Sequence, residues 1–213
     1  MRLRGLYAIT PDDADSARLV ARVRAALEAG AAGGWAALQY RNKAASPALR
    51  LEQAGLLATL ARARGVPFIV NDDVELAIAV GADGVHLGRE DGNLVAARRL
   101  LPGKLLGVSC YDSLVAARAA VAAGADYVAF GSVFPSSTKP AAVRAPLALL
   151  REARALGVPV VAIGGIRLEN APAVLSAGAD ALAVISDLFD ASDVAARARA
   201  YVRLFPSDSR AMA

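Results

Sequence analysis

Short apolar runs alternate with longer stretches in which apolar positions recur at helical spacing, and this beat continues along the whole chain. The short runs are 6–10 (LYAIT), 36–41 (AALQYR), 67–71 (PFIVN), 83–87 (DGVHL), 105–109 (LLGVS), 126–130 (DYVAF), 159–163 (PVVAI) and 180–185 (DALAVI). Their length and composition predict strands. The stretches between them, such as 49–64, 113–123 and 146–156, are rich in Ala, Leu and Arg and predict helices. A weak repeat marks three helix-to-strand joints: VGADGV at 80–85, AGADYV at 123–128 and AGADAL at 177–182. Its glycine suits a left-handed helix C-cap, and its aspartate opens the next strand. RGVP at 64–67 and LGVP at 156–159 mark two further joints, with proline at a strand start where no ladder donor is lost. Eight such strand–helix units predict an α/β protein, a single-domain (β/α)8 TIM barrel over residues 1–205. Residues 206–213 (PSDSRAMA) read as a flexible C-terminal tail. A sheet of fewer strands is the alternative fold, should one or two of the short runs not be strands.

Composition narrows the picture. A chain of 213 residues, 56% hydrophobic, suits one domain with a large core. No apolar run approaches the roughly 18 residues that span a bilayer, because Gly, Arg and Asp interrupt each one. The start, MRLRGLYAITPDDAD, is basic but lacks the apolar stretch of a signal peptide. The single cysteine, Cys110, excludes an internal disulfide and suits a reducing compartment, so a cytoplasmic location is expected. The net charge of +4, from 24 basic and 20 acidic residues, raises the question of polyanionic partners. The arginines, however, fall singly along helical segments (Arg18, Arg22, Arg24; Arg197, Arg199, Arg203), and aromatics are only 5% of the chain. Neither nucleic acid nor membrane is expected as a partner. Small phosphorylated molecules are, and a homo-oligomer is compatible with the sequence.

In a barrel the chemistry sits in the loops after the strands. Those ends carry Gln39 and Arg41, Asn71 and Asp72, His86 with Glu90 and Asp91, Ser109, the loop GSVFPSSTKP at 131–140, Gly164-Gly165, and Ser186. The opposite ends carry Gly, Ala and Pro. Asp72 and Asp91 follow adjacent strands and can face one point above the mouth, where two carboxylates with water hold Mg²⁺ that substrate phosphate completes. The competing role for each is a helix N-cap, by Asp72 or Asp73 for VELAIAV and by Asp91 for the next helix. Gly164-Gly165 and Ser186 fall where this fold commonly binds phosphate, although a Gly-Gly pair can also simply relieve crowding. Only three of the 24 basic residues are lysines: Lys43, Lys104 and Lys139. Lys139 follows Ser136, Ser137 and Thr138, a grouping that offers hydroxyl donors and a compact point charge to an anion. A Schiff-base lysine would need a drier setting than those hydroxyls provide. His86, the only histidine, and Cys110 read as packed strand residues.

Taken in order, QYRNK (39–43), VNDDVELA (70–77), GADGVHLGRED (81–91), GVS (107–109), GSVFPSSTKP (131–140), IGGI (163–166) and VIS (184–186) resemble the thiamine phosphate synthase family. The resemblance spans nearly the whole chain. It implies a transferase that joins 4-amino-2-methyl-5-hydroxymethylpyrimidine diphosphate to a thiazole phosphate, giving thiamine phosphate and pyrophosphate by a Mg²⁺-assisted dissociative displacement. By this resemblance Gln39, Tyr40, Arg41, Asn42, Lys43, Asn71, Ser109 and Lys139, with Arg62, would hold the pyrimidine diphosphate. Lys139, Ser109 and Arg41 would be catalytic. Asp72 and Asp91 would hold Mg²⁺, and Ser136, Ser137, Thr138, Gly165, Ile185 and Ser186 the thiazole phosphate.

The chain departs from the family pattern in places. It has TPD where TD is usual, which leaves Asp12 without a role, and Arg89 stands where glutamine is usual. Ser136 replaces a common threonine, and AAVRAP after Lys139 lacks the usual glycines. The nearest alternative is a thiazole tautomerase-like isomerase. That family usually carries a histidine after strand six, where this chain has Gly131-Ser132. A non-catalytic sensor of phosphorylated ligands is the second alternative.

Overall fold

The computed structural model describes residues 3–28, 34–89, 91–135 and 143–205. Eight parallel strands close into a barrel in chain order: β1 (Gly5–Ile9), β2 (Trp35–Tyr40), β3 (Phe68–Asn71), β4 (Gly84–Leu87), β5 (Leu105–Tyr111), β6 (Tyr127–Phe130), β7 (Val160–Ile163) and β8 (Ala181–Val184). The seam is the parallel β1–β8 pairing, in which Gly5 faces Ala181 and Ala8 faces Val184. Around the barrel run α1 (Ser16–Leu27), α2 (Pro47–Ala63), α3 (Val74–Ala79), α4 (Leu94–Leu100), α5 (Leu114–Ala122), α6 (Leu147–Ala153), α7 (Ala171–Ser176), α8 (Ser186–Phe189) and α9 (Val194–Val202). The expected (β/α)8 barrel is thus the observed fold, and the expected tail at 206–213 lies outside the described residues.

The strand period of two sorts the core into two layers. Tyr7, Ile9, Ala37, Ile69, Tyr127, Ala129, Val161, Ala181 and Ala183 point into the barrel and form one cluster. Their neighbours Leu6, Ala8, Leu38, Val70, Val85, Val128, Ala162 and Leu182 point outward, against helix residues such as Leu19, Leu57 and Leu150. Strands buried on both faces explain why the short runs read as continuously apolar rather than alternating.

The repeated GAD joints have a physical explanation. Gly81, Gly124 and Gly178 follow α3, α5 and α7 with φ of 65°, 94° and 110°, the left-handed backbone that glycine adopts without a Cβ penalty. The aspartates then reach to the neighbouring strand. Asp83 accepts from the Phe68 N–H, Asp126 from the Leu106 N–H and Asp180 from the Val160 N–H, at 2.8, 2.7 and 2.8 Å. Each satisfies an N–H at the start of a strand, so the repeat builds the floor of the barrel and leaves the chemistry to the other end.

Candidate active site

At the C-terminal mouth of the barrel lies a cavity of about 460 Å³. Its lining follows the inward positions of the strands: Gln39 and Arg41 after β2, Asn71 of β3, His86 of β4, Ser109 and Tyr111 of β5, and Gly131 after β6. The loops after β7 and β8 contribute Gly164, Gly165, Arg167, Ile185 and Ser186. Gln39 Nε2 donates to Asn71 Oδ1 at 2.6 Å, tying two expected substrate ligands together.

The segment QYRNK alternates faces. Gln39 and Arg41 enter the cavity, while the side chains of Tyr40 and Asn42 turn outward. The Tyr40 hydroxyl and Asn42 Nδ2 both donate to Gln53 Oε1 on α2, at 2.9 and 3.0 Å, and Asn42 Nδ2 also reaches the Asp13 carbonyl at 2.7 Å. Those two side chains therefore secure the loop against the helix layer. Asp12, left without a role by sequence, is a second tether. Its Oδ1 accepts from Arg41 Nη1 at 3.0 Å and from the Lys43 N–H at 2.8 Å, and Thr10 Oγ1 accepts from the Arg41 N–H at 2.9 Å. Arg62 is not at the mouth. It lies in the last turn of α2, where Nη2 donates to the Gly81 carbonyl at 3.5 Å, at the floor end of the barrel.

The two carboxylates expected to hold a cation do not cap helices. Asp73 caps α3, accepting from the Leu76 N–H at 2.9 Å, and Asn93 caps α4, accepting from the Val95 and Ala96 N–H groups. Asp72 adopts φ 64°, an uncommon left-handed backbone for a residue other than glycine and one that aspartate tolerates. Asp72 pairs with Lys43 Nζ at 3.0 Å, and Asp91 Oδ2 accepts from the Gly88 N–H at 2.6 Å. Burial, and then the hydrogen bond that its protonated carboxyl donates to Asp72, raises the pKa of Asp91 above the ordinary carboxylate value. Two carboxyls close enough to share a proton also favour a cation between them. Among the described residues no group of three or more His, Cys, Asp or Glu converges. A two-carboxylate set suits Mg²⁺, which keeps several waters and takes substrate phosphate oxygens.

Across the mouth, Gly164 and Gly165 have φ of 98° and 64°. A Cβ on Gly164 would meet Ser132 Oγ at 2.1 Å and one on Gly165 would meet the Pro135 carbonyl at 2.2 Å, so the pair also lets the loop after β6 lie against it. Ser136, Ser137, Thr138 and Lys139 lie outside the described residues, as does Glu90.

Several lining residues were not anticipated from sequence. Tyr111 escaped because β5 runs two residues past the predicted end at Ser109, with a register shift between Ser109 and Tyr111 and φ 56° at Tyr111. Arg89 stacks on that ring at 4.8 Å, which gives the residue replacing the usual glutamine a cation–π partner at the rim. Arg167, directly after GGI, and Arg197 on α9 also line the cavity, and Arg197 pairs with Asp187 at 2.7 Å.

His86 is 8% exposed, and burial lowers its pKa to about 4. An unfolded chain's imidazole titrates near ~6.5, so below that pH the unfolded state takes up a proton that the folded state refuses. The stability owed to neutral His86 is complete above about 6.5 and is lost as pH falls towards 4, by roughly 3 kcal/mol. Denaturant titrations in EDTA from pH 7 to 4 are expected to show a steeper loss for wild type than for His86→Gln. Parallel slopes would contradict this.

The comparisons with known proteins agree on one family. A family model described as thiamine monophosphate synthase matches residues 6–188. A thiamine-phosphate synthase of Aromatoleum aromaticum is 63% identical over 206 residues, covering 96% of this chain and 97% of the relative. One from an Azoarcus species is 61% identical, covering 96% and 98%. The solved structure of a thiamine phosphate pyrophosphorylase from Pyrococcus furiosus superposes with a TM-score of 0.84 at 39% identity, covering 96% of both chains.

Proposed function

This chain belongs to the thiamine monophosphate synthase family, and we propose how its barrel mouth performs the family's reaction. The protein is a transferase, a thiamine-phosphate synthase that acts on small phosphorylated substrates. The pyrimidine diphosphate lies over β2 to β5, its diphosphate towards Arg41, Lys43, Asp72 and Asp91 and its ring towards Gln39, Asn71 and Ser109. The thiazole phosphate lies across the mouth at Gly165, Ile185 and Ser186, with the hydroxyls of Ser136, Ser137 and Thr138 as further donors to it. The single observation that carries this layout is the cluster of Lys43, Asp72 and Asp91, in which Asp72 directly follows the cavity-lining Asn71. Asp72 and Asp91 would hold Mg²⁺, which neutralises leaving-group charge when bound.

The carbon–oxygen bond of the pyrimidine methylene breaks and its electron pair leaves with pyrophosphate. The electron-rich aminopyrimidine stabilises the methylene cation, and the thiazole nitrogen lone pair then forms the new carbon–nitrogen bond. Little proton transfer is required, which fits a mouth whose only histidine is held neutral. The residues' task is to neutralise and orient charge, usually the largest part of such catalysis. The test is product analysis with both substrates. Equal amounts of thiamine phosphate and pyrophosphate are expected. Isomerisation of the thiazole phosphate alone would support the tautomerase-like alternative, and binding of the thiazole phosphate without turnover would support the sensor. A cytoplasmic setting is in keeping with a lone buried cysteine.

A further inference from the structure

A chain of hydrogen bonds runs from the cavity down into the barrel. Ser109 Oγ and His86 Nε2 are 2.8 Å apart, His86 Nδ1 and the Tyr127 hydroxyl 3.1 Å, and the Tyr127 and Tyr7 hydroxyls 2.7 Å. All four residues occupy inward positions of β5, β4, β6 and β1. Packing fixes the rings. Tyr127 lies 5.6 Å from the His86 ring at 30° and 5.9 Å from the Tyr7 ring. It passes over Gly107 so closely that a Cβ there would sit 2.0 Å from its Cζ.

Such a chain can run in two directions, and counting protons separates them. Burial pushes both phenols well above the ordinary tyrosine pKa, so both hydroxyls keep their protons, and neutral His86 carries one N–H. Running downward, Ser109 would donate to Nε2, Nδ1–H to Tyr127, and Tyr127 to Tyr7. The Tyr7 proton would then end in the apolar interior cluster, because among the described residues its hydroxyl has no partner but Tyr127. A buried donor left unmade is among the costlier defects in a fold. Running upward, Tyr7 donates to Tyr127, Tyr127 to Nδ1, and Nε2–H to Ser109 Oγ. Every buried proton then has an acceptor, and the one left over is the Ser109 hydroxyl proton at the cavity.

We infer that the Tyr7–Tyr127–His86 chain runs upward, holding His86 as the Nε2–H tautomer and presenting Ser109 to the substrate as a hydrogen-bond donor. His86 and Tyr127 are then positioning residues that act through Ser109. An N–H occupying the serine oxygen polarises its hydroxyl, which suits donation to an anionic oxygen. That this oxygen belongs to the diphosphate rests on the function proposed above; the direction of the chain does not.

The only histidine in the sequence makes the test direct, because the imidazole ¹⁵N spectrum comes from one residue. At neutral pH the wild-type spectrum is expected to show a protonated Nε2 and an unprotonated Nδ1. Tyr7→Phe is expected to leave that tautomer in place, since Tyr127 still donates. Tyr127→Phe, which keeps the ring, is expected to mix the tautomers and lower kcat about tenfold, the effect of roughly one net hydrogen bond, with KM for the pyrimidine diphosphate within about twofold. A protonated Nδ1 in the wild type would overturn the inference whatever the variants do. Unchanged kcat in a folded Tyr127→Phe would overturn the positioning role. The predicted tautomer in a protein that forms no thiamine phosphate would leave the chain's direction standing and remove the reaction it is said to serve.

Discussion

Asp91→Asn is expected to lower Mg²⁺-supported turnover on the order of 100- to 1000-fold, the usual effect of losing one preorganised charge contact to the transition state. Asp91 and Asp72 are the two carboxyls that share a site at the mouth, and burial, with the hydrogen bond that protonated Asp91 donates to Asp72, raises the Asp91 pKa. A divalent cation would offset their repulsion and carry charge to the departing diphosphate, and an amide at 91 halves the negative charge that attracts it. The substitution should spare the fold. Asn93 caps α4, and an asparagine carbonyl can still accept from the Gly88 N–H that Asp91 now holds at 2.6 Å. The melting temperature in EDTA is therefore expected to stay level or rise, since one source of like-charge repulsion is gone. Initial rates over a Mg²⁺ series, read beside thermal melts, check both parts. An unchanged Mg²⁺ dependence would remove Asp91 from the cation site.

Lys139→Ala is expected to be as damaging, on the order of 100- to 1000-fold in turnover. Twenty-one of the 24 basic residues are arginine, yet the residue behind Ser136, Ser137 and Thr138 is lysine. An ammonium concentrates its charge on one atom at the end of a flexible stem, whereas guanidinium spreads it over a planar fork. A leaving diphosphate that gains charge as the carbon–oxygen bond stretches favours the point charge. Lys139→Arg is accordingly expected to stay at least about tenfold below wild type despite keeping the charge. Single-turnover rates with the pyrimidine diphosphate already bound isolate the effect on bond breaking. Near wild-type rates in Lys139→Ala would exclude the lysine as a clamp on the leaving group.

The barrel was legible because two signals coincide in the sequence. Strand-length apolar runs gave eight elements whose observed ends differ little from those expected, and the GAD joints marked the floor. The mouth was legible only where strand period and motif agree, as at Gln39, Arg41, Asn71 and Ser109, which all line the cavity. Tyr40 and Asn42 lie in the same five-residue motif, but period two turns their side chains to Gln53 and the Asp13 carbonyl. Arg62 sits on a helix whose last turn ends at the barrel floor, so its distance from the cavity is set by helix length, which a motif does not report. Asp12 and Tyr111 were hidden for another reason. Their roles depend on loop conformation after β1 and on the shifted register of β5, and neither leaves a periodic trace in the chain.

Cation-assisted displacement of pyrophosphate at this mouth is tested most directly by the return of turnover after metal stripping. Wild-type protein treated with EDTA and given both substrates is expected to form no thiamine phosphate above background, and added Mg²⁺ to restore thiamine phosphate and pyrophosphate in equal amounts. Full turnover in EDTA, or none after Mg²⁺ is restored to a folded protein, would contradict it.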